Sequence, residues 1–284
     1  MRRLAVVLAT LSACGPGNRT GNDPDARGSV DTGPTSDTGA TPDSSRVYAH
    51  NGGTLYKVDT TTFAATAVGP MTALGTQSLT DLAIDKNDKM VGITLNKLYA
   101  IDETTAAATL VKDLSASATG FTSLSYVPTD LNDSNSADIL VSANDQGDVY
   151  QIDPTSGNAT KLGSYGTVAA GKVVSSGDLI GVRGLGIYAT VDIGTAGVTT
   201  DDYLAKIDPV TWKATPLGTG TSHSKIFGLG FWGGKVYGFV DKGATANGGT
   251  MIQIDPNTGA SIDLSTSTIR WFGAAVGTNA PVIE

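Results

Sequence analysis

Apolar and polar residues alternate in short runs along most of the chain, and turn residues separate the runs. The clearest runs end at an Asp, pass through a few residues rich in Pro, Thr and Gly, and resume in a second apolar stretch. Alternation with a period of two is typical of half-buried strands, and two such strands joined by a short loop form a β-hairpin. The pattern therefore predicts a chain built mainly of hairpins.

Five segments share this hairpin pattern. They are LYKVDTTTFAATAVG from Leu55, LYAIDETTAAATLVK from Leu98, VYQIDPTSGNATKLG from Val149, LAKIDPVTWKATPLG from Leu204 and MIQIDPNTGASIDLS from Met251. Their turns contain Asp59, Asp102, Asp153, Asp208 and Asp255, which lie 43 to 55 residues apart. This spacing is too long for a bare hairpin and fits four strands, because further strand candidates such as SLTDLAID and KMVGITL precede the hairpins. Repeats of this length are typical of β-propeller blades.

The two ends of the repeat region complement each other. The first hairpin has only RVYAHN before it, and the last is followed by IRWFGAAVG, which resembles the strand candidate IFGLGFWG. Joined, the end pieces give a spacing of 43 residues, equal to the shortest internal spacing. A stack of repeats with free ends needs no such halves. We therefore predict an all-β fold at residues 46–284: a five-bladed β-propeller of four-stranded blades, with the first blade closed by the C-terminal strand.

Residues 1–13 are predicted to be a signal peptide. Arg2 and Arg3 form a positively charged start, Leu4 to Leu11 form an apolar run, and small residues precede Cys14. The apolar run is far shorter than the roughly 20 residues that span a bilayer as a helix. The segment is therefore predicted to be removed rather than to remain as a transmembrane anchor.

The sequence Leu-Ser-Ala-Cys at 11–14 resembles the lipobox of bacterial lipoproteins. The resemblance implies cleavage before Cys14, acylation of this cysteine by fatty acids such as palmitate, and a lipid anchor in the bacterial cell envelope. Gly15 after the cysteine favours the outer membrane by the same resemblance. A plain secretory signal is the alternative. Residues 14–45, rich in Gly, Ser, Thr and Pro with almost no apolar residue, are predicted to be a disordered tether.

Charge and cysteine content exclude several partners. The formal net charge is −8, and becomes −10 after cleavage before Cys14, with Lys and Arg scattered singly. Such a chain has no basic patch for nucleic acid. Because Cys14 is the only cysteine, internal disulfides and CxxC metal sites are excluded. We expect a monomer whose partners are the membrane, through the lipid, and a protein or glycan ligand on a propeller face.

The five repeats also resemble those of bacterial surface propellers with Tyr-x-Ile-Asp-Pro-x-Thr-Gly turns, a broad family that includes quinoprotein-like and extracytoplasmic lipoprotein propellers. The resemblance implies the blade architecture and no particular activity, because this fold carries many functions. It implies no quinone cofactor, because Trp212, Trp232 and Trp271 do not recur at one place in every blade.

One segment departs from the repeat between the first two strands of the third blade. It reads Asp130-Leu-Asn132-Asp-Ser134-Asn-Ser136-Ala-Asp138 and precedes an apolar strand. Alternating oxygen side chains, with a carbonyl at Ser136, are what a calcium ion accepts from a tight loop. The run resembles the calcium loops of integrin-type propellers, although Ser134 stands where a carboxylate is usual. Calcium is thus the one cofactor predicted, and an ordinary polar hairpin loop is the alternative.

The remaining candidates favour structure over catalysis. The repeated Asp is interpreted as a turn residue that binds backbone amides, the aromatic Gly-rich strands as core, and His50 and His223 as lacking partners at ligand spacing. Aligning four inner strands places these residues in equivalent positions: Asp81, Ser123, Gly228 and Gly273. One acid then reaches the axis, and a loop carrying Asp192, Asp201 and Asp202 is its possible supplement.

Three function hypotheses follow. The first is a non-enzymatic binding or scaffolding module without catalytic residues, displayed on the envelope. The second is a carbohydrate-active hydrolase or lyase using Asp81 with a loop acid, and the third is a structural envelope protein. An acid pair at a channel mouth would favour the enzyme, whereas an exposed aromatic surface would favour binding.

Overall fold

The computed structural model describes residues 46–194, 201–246 and 248–278. This part of the chain is all-β apart from one helical turn, α1 (Gly243–Ala246). The first strands are β1 (Val47–His50), β2 (Thr54–Val58), β3 (Ala65–Pro70), β4 (Asp81–Ile84), β5 (Met90–Ile93), β6 (Lys97–Ile101), β7 (Ala108–Asp113), β8 (Ser125–Pro128), β9 (Asp138–Ala143), β10 (Asp148–Ile152) and β11 (Ala159–Ser164). The others are β12 (Thr167–Val168), β13 (Gly171–Val182), β14 (Gly186–Ile193), β15 (Tyr203–Ile207), β16 (Ala214–Pro216), β17 (Ile226–Trp232), β18 (Lys235–Asp241), β19 (Gly249–Ile254), β20 (Ser261–Ser267) and β21 (Gly273–Val276).

The strands form five antiparallel sheets, which confirms the predicted five-bladed propeller. The sheet orders are β21-β1-β2-β3, β4-β5-β6-β7, β8-β9-β10-β11, β12-β13-β14-β15-β16 and β17-β18-β19-β20. We number these blades one to five. The fourth blade has a fifth strand that the sequence pattern did not predict. It arises where the two-residue β12 pairs with the start of the long β13.

The first blade is closed by the C-terminal strand, as predicted. β1 is hydrogen bonded to β2 on one side and to β21 on the other, with Val47 opposite Val276 and His50 opposite Gly273. All four residues of β1 are buried. The closing pairing therefore completes the ring by burying a strand that would otherwise leave an open edge.

Each core cluster joins two successive blades. Five clusters of buried apolar side chains fill the spaces between the sheets. Between the fifth and first blades, Trp271 meets Phe239 and Tyr56 edge to face, and Trp232 stacks on Tyr237 with ring centroids 3.7 Å apart. Burial of these large surfaces against neighbouring sheets is the main force that holds the ring together.

The repeated Asp residues are turn residues, as predicted. In the first turn, Asp59 Oδ1 accepts hydrogen bonds from the backbone N–H groups of Thr61 and Thr62 at 2.9 and 2.7 Å. The same bonding recurs at Asp102, Asp153, Asp208 and Asp255. The residue four positions after each Asp has a positive φ, and these residues are Phe63, Ala106, Gly157, Trp212 and Gly259. One local geometry thus serves all five blades.

The predicted signal peptide, Cys14 and the tether at 14–45 lie outside the described residues. Within the ranges that the structure describes, no helix has the length and apolar character needed to cross a membrane.

Candidate functional site

The inner strands of the five blades meet at the propeller axis. β4, β8, β13, β17 and β21 contact one another in sequence around a closed ring. One position, within or just before each of these strands, is equivalent in register, and we call these five buried residues the axial ring: Asp81, Ser123, Asp178, Gly228 and Gly273.

Two carboxyls meet inside the axial ring. Asp81 and Asp178 are hydrogen bonded to each other and have 0% and 1% of their surface exposed. Each also connects two blades. Asp81 Oδ2 accepts the N–H of Leu124 at 2.7 Å, and Asp178 Oδ2 accepts the N–H of Leu229 at 2.7 Å. The Oδ1 atoms accept the N–H of the following residue in their own strands. All four carboxyl oxygens are therefore held by backbone donors.

Burial decides the protonation of this pair. Removal from water raises the pKa of Asp178 to about 8 and places that of Asp81 well above its usual range. Repulsion by the Asp178 carboxylate further raises the pKa of Asp81, because two like charges in contact cannot both ionise, and the hydrogen bond between the carboxyls adds to this effect. The pair consequently shares at least one proton at neutral pH.

Gly273 makes room for the carboxyl of Asp81. A Cβ atom on Gly273 would lie 2.3 Å from His50 Nε2 and 2.6 Å from Asp81 Oδ1. His50 is completely buried, its Nδ1 accepts the N–H of Gly52 at 3.0 Å, and burial lowers its pKa to about 3. The imidazole is thus neutral, with its proton on Nε2.

The acid pair does not fit the geometry of a glycosidase, one part of the carbohydrate-active alternative that the sequence left open. Glycosidase carboxyls stand about 5 to 9.5 Å apart with substrate between them, whereas Asp81 and Asp178 touch, and their four oxygens are bound to backbone. The predicted partners of Asp81 lie elsewhere: Asp192 and Asp202 form a second buried pair, and burial raises the pKa of Asp202 to about 7. Asp202 Oδ2 accepts the N–H of Ile226 at 2.7 Å.

An apolar chamber of about 360 Å³ lies on one side of the axial ring. The inner-strand residues that follow the ring line its wall, and they include Leu82, Leu124, Leu179, Leu229 and Ala274. Lys86 and Arg183 also line the chamber. The wall next to the ring is therefore mostly apolar, but Asp178 borders the chamber there.

A second cavity of about 490 Å³ lies on the opposite side, where the residues that precede the ring line it. We call it the hydroxyl cavity. Its described lining residues are Thr76, Gln77, Ser78, Leu79, Thr80, Thr94, Leu95, Thr122, Ser176, Phe227 and Phe272, none of them charged. Cavities of this size, with a few polar groups beside aromatic surface, are typical of small-ligand sites.

Phe227 and Phe272 correct one sequence prediction. The aromatic Gly-rich strands were predicted to be core, which is right for Trp232 and Trp271. Phe227 and Phe272 are instead half-buried and meet edge to face at the hydroxyl cavity, with ring centroids 6.1 Å apart. They occupy equivalent positions, each one residue before a glycine of the axial ring. That shared Phe-Gly pair is the signal by which the sequence could have identified them.

Asp178 was also missed by the sequence prediction. It was expected that one acid would reach the axis, because the alignment of inner strands omitted the fourth blade. The sequence Asp-Leu occurs at 81–82 and at 178–179, but also at 113–114, 130–131 and 263–264, so this dipeptide does not by itself identify Asp178.

The predicted calcium loop is an exposed hairpin loop whose last residue already binds a cationic side chain. Asp138 Oδ1 accepts a hydrogen bond from Arg183 Nη2 at 2.7 Å, and Arg183 also donates to the carbonyls of Ser134 and Ser136. Asp130 is exposed, and its Oδ1 accepts the N–H of Asn132 at 2.9 Å. Calcium stays a prediction, and it would have to compete with the guanidinium for Asp138.

Comparison with known proteins gives similarities of fold. No protein-family model matches the sequence, and no curated protein matches it. A Bacteroides caccae protein of unknown function has a TM-score of 0.48 at 8% identity, over 81% of this chain and 97% of that one. A symmetrical protein from work on de novo evolutionary emergence has a TM-score of 0.46 at 15% identity, over 84% of this chain and 99% of that one.

An oligogalacturonate lyase in complex with manganese has a TM-score of 0.38 at 16% identity, over 77% of this chain and 61% of that one. All three TM-scores are below 0.5. None of these similarities therefore supports an activity for this chain.

Proposed function

We propose that the protein is a non-enzymatic binding module of the bacterial cell envelope, held by a lipid on Cys14, which binds its ligand in the hydroxyl cavity. The single observation that carries this proposal is the pairing of an uncharged, aromatic-walled cavity with an acid pair that is buried and fully hydrogen bonded. The cavity offers recognition groups, but its described lining has no acidic, basic or histidine side chain that could act as a general base or activate its hydroxyls as nucleophiles.

The rival function is a hydrolase or lyase that uses the axial carboxyls. A substrate in the apolar chamber would lie beside Asp178, which borders it, but each carboxyl would have to release its backbone donors to react. Loss of those hydrogen bonds to buried groups costs about 1–3 kcal/mol each. We therefore assign the pair to joining blades.

The test is to incubate the full chain with fragmented envelope material and to follow the masses of bound and free components over time. Retained components whose masses do not change support the proposal. A new product that accumulates with the native protein and not with heat-denatured protein would overturn it in favour of the enzyme.

The membrane anchor rests on the lipobox resemblance alone. We expect Cys14→Ser to abolish fatty-acid labelling and to release the protein from membranes during fractionation. Ala13→Ser, which keeps the cysteine and a small residue before it, is the matched control and should still be labelled. Equal labelling of wild type and Cys14→Ser would remove the lipid from the proposal.

Calcium binding by the exposed loop at Asp130 to Asp138 is proposed as an accessory property of the protein. Because ligand binding to the folded state alone stabilises it by mass action, calcium should raise the melting temperature. Asp130→Ala should remove this increase, and it leaves the ion pair of Asp138 with Arg183 intact. An equal calcium response in wild type and variant would discard the site.

A further inference from the structure

We propose that the ligand of the hydroxyl cavity is a short neutral saccharide. This inference rests on the proposed binding function and names its ligand class. Three properties of the cavity lead to it: the direction of its hydrogen-bonding groups, its aromatic wall and its lack of charge.

Two threonines of the cavity are available as hydrogen-bond acceptors. Thr80 Oγ1 donates to the carbonyl of Ile93 at 3.1 Å, and Thr122 Oγ1 donates to Ser175 Oγ at 2.9 Å. A hydroxyl has one proton and two lone pairs, so these groups have committed the proton and keep acceptor capacity. Thr80 and Thr122 come from successive blades at equivalent positions. A ligand that presents hydroxyl or N–H donors fits them.

The opposite part of the lining is apolar and aromatic. The rings of Phe227 and Phe272 meet at an interplanar angle of 73°. Arg270 lies over Phe272 with 5.1 Å between its guanidinium carbon and the ring centroid, and Asp241 holds that guanidinium through two hydrogen bonds. Phe272 is thereby fixed as a rigid wall. A pyranose ring has both features that this cavity requires, an apolar C–H face and an edge of hydroxyl donors.

Charge argues for a neutral sugar. The described lining has no charged side chain to pair with an ionic ligand, and burial of an unpaired charge is costly. The chain has a net charge of −8, which disfavours an acidic sugar in particular. The volume of about 490 Å³ lies in the range of roughly 300–1,000 Å³ for small-ligand sites.

The experiment measures binding of neutral trisaccharides by ligand-observed NMR and calorimetry on the full chain. The probes are maltotriose, cellotriose and triacetylchitotriose, with trigalacturonic acid and a neutral tetrapeptide as the competing classes. We expect at least one neutral trisaccharide to bind, with the strongest saturation transfer to the C–H protons of one sugar face. Trigalacturonic acid and the tetrapeptide should not bind.

Two variants locate the binding. Thr122→Val removes an acceptor at nearly constant shape and should weaken binding about fivefold, in line with the loss of one hydrogen bond. Phe272→Leu removes one of the two aromatic rings from the cavity lining and should weaken binding about tenfold or more. Thr160→Val changes an exposed threonine of β11 and is the matched control. Melting temperatures within a few degrees of wild type establish that the variants fold, and Thr80→Val replaces Thr122→Val should the latter not fold.

The outcomes separate the two proposals. No binding by any of the three neutral sugars at millimolar concentration overturns the saccharide, as does binding that Thr122→Val and Phe272→Leu leave unchanged. If the tetrapeptide binds instead and Phe272→Leu abolishes it, the binding function stands and the ligand class falls. If a neutral sugar is bound and cleaved, the ligand class stands and the non-enzymatic function falls.

Discussion

The outer turns and the axial ring are two sets of five equivalent positions, and only one of them is uniform. Every outer turn has an Asp that accepts backbone N–H groups within its own blade. The axial ring has two Asp, one Ser and two Gly. The difference follows from geometry. Each turn bonds only within its own blade, so its residues do not depend on the other turns, whereas the ring residues share one small space.

A uniform axial ring would be unstable with either residue. Five aspartates would put five carboxyls in contact, and their burial without counter-charges would be very costly. Five glycines would leave a void at the axis and lose the backbone bonds to Leu124 and Leu229. The mixture lets two carboxyls fill the axis, and Gly273 leaves room for that of Asp81. Repetition is thus kept where an interaction is local and lost where the blades meet.

The largest loss of stability is expected when a methyl group is added at the tightly packed axial ring. Gly273→Ala places a Cβ within 3.0 Å of Asp81 Cα and closer still to His50 Nε2. We expect a loss of about 3 kcal/mol in the free energy of unfolding, measured by chemical denaturation, because overpacking of a tight site usually costs 1–3 kcal/mol or slightly more. Gly53→Ala is the control, since its Cβ would meet nothing within 4 Å. Equal losses in the two variants would contradict the tight packing of the ring.

The next effect concerns the shared proton. Asp178→Asn should cost about 1–3 kcal/mol at neutral pH, because an amide has one acceptor oxygen and Leu229 or Leu179 loses its partner. The pH profile should also change. A folded pKa of about 8, against about 4 in the unfolded chain, means that the folded state holds extra protons between these values. The stability contributed by this group is full below pH 4 and is lost as pH rises towards 8.

The clearest window is pH 6.5 to 8. Neutral His50, whose folded pKa of about 3 is below the unfolded value, loses stability only as pH falls below about 6.5. Asp202, with a pKa of about 7, adds the same downward trend to wild type and variant alike. Wild-type stability should therefore fall more steeply across this window than that of Asp178→Asn. Parallel profiles would show that Asp178 itself does not titrate in this range.

The smallest effect is expected at an outer turn. Asp153→Ala removes hydrogen bonds to the amides of Thr155 and Ser156 in an exposed turn and should lower the melting temperature slightly. Because these bonds lower the pKa of Asp153, its contribution is present above about pH 4 and is lost as pH falls. Asp153→Asn keeps the acceptor and should lie closer to wild type. If Asp153→Ala lost more stability at pH 7 than Asp178→Asn, the outer turn would matter more than the axial ring, contrary to this prediction.

The features that could be predicted from the sequence are those that depend on residues close together within one repeat or on the lengths of the repeats. The Asp turns could be predicted because the bonding groups lie within four residues of one another. Blade closure could be predicted because strand length and spacing at both ends add up to one blade. Neither inference needed to know which side chains meet across the ring.

The candidate site could be predicted only in part. Asp81 was placed at the axis, but its partner Asp178 lies 97 residues further along, in a strand whose register shifts between Ser175 and Leu179. Phe227 and Phe272 were predicted to be buried because aromatic strand residues usually are. Whether an inner-strand ring is core or cavity wall depends on the diameter of the axis, which is a property of all five blades together.

The pairing of β1 with β21 also has a consequence for how the chain folds. Most strands of the propeller pair with a neighbour in sequence, whereas Val47 meets Val276 across almost the whole described chain. Loop closure over that distance is slow, so this contact is expected late in folding. At about 5–20 residues per second of synthesis, β1 waits roughly 10–45 s for its partner to emerge. Throughout that interval the edge of β1 is open to pairing with another chain.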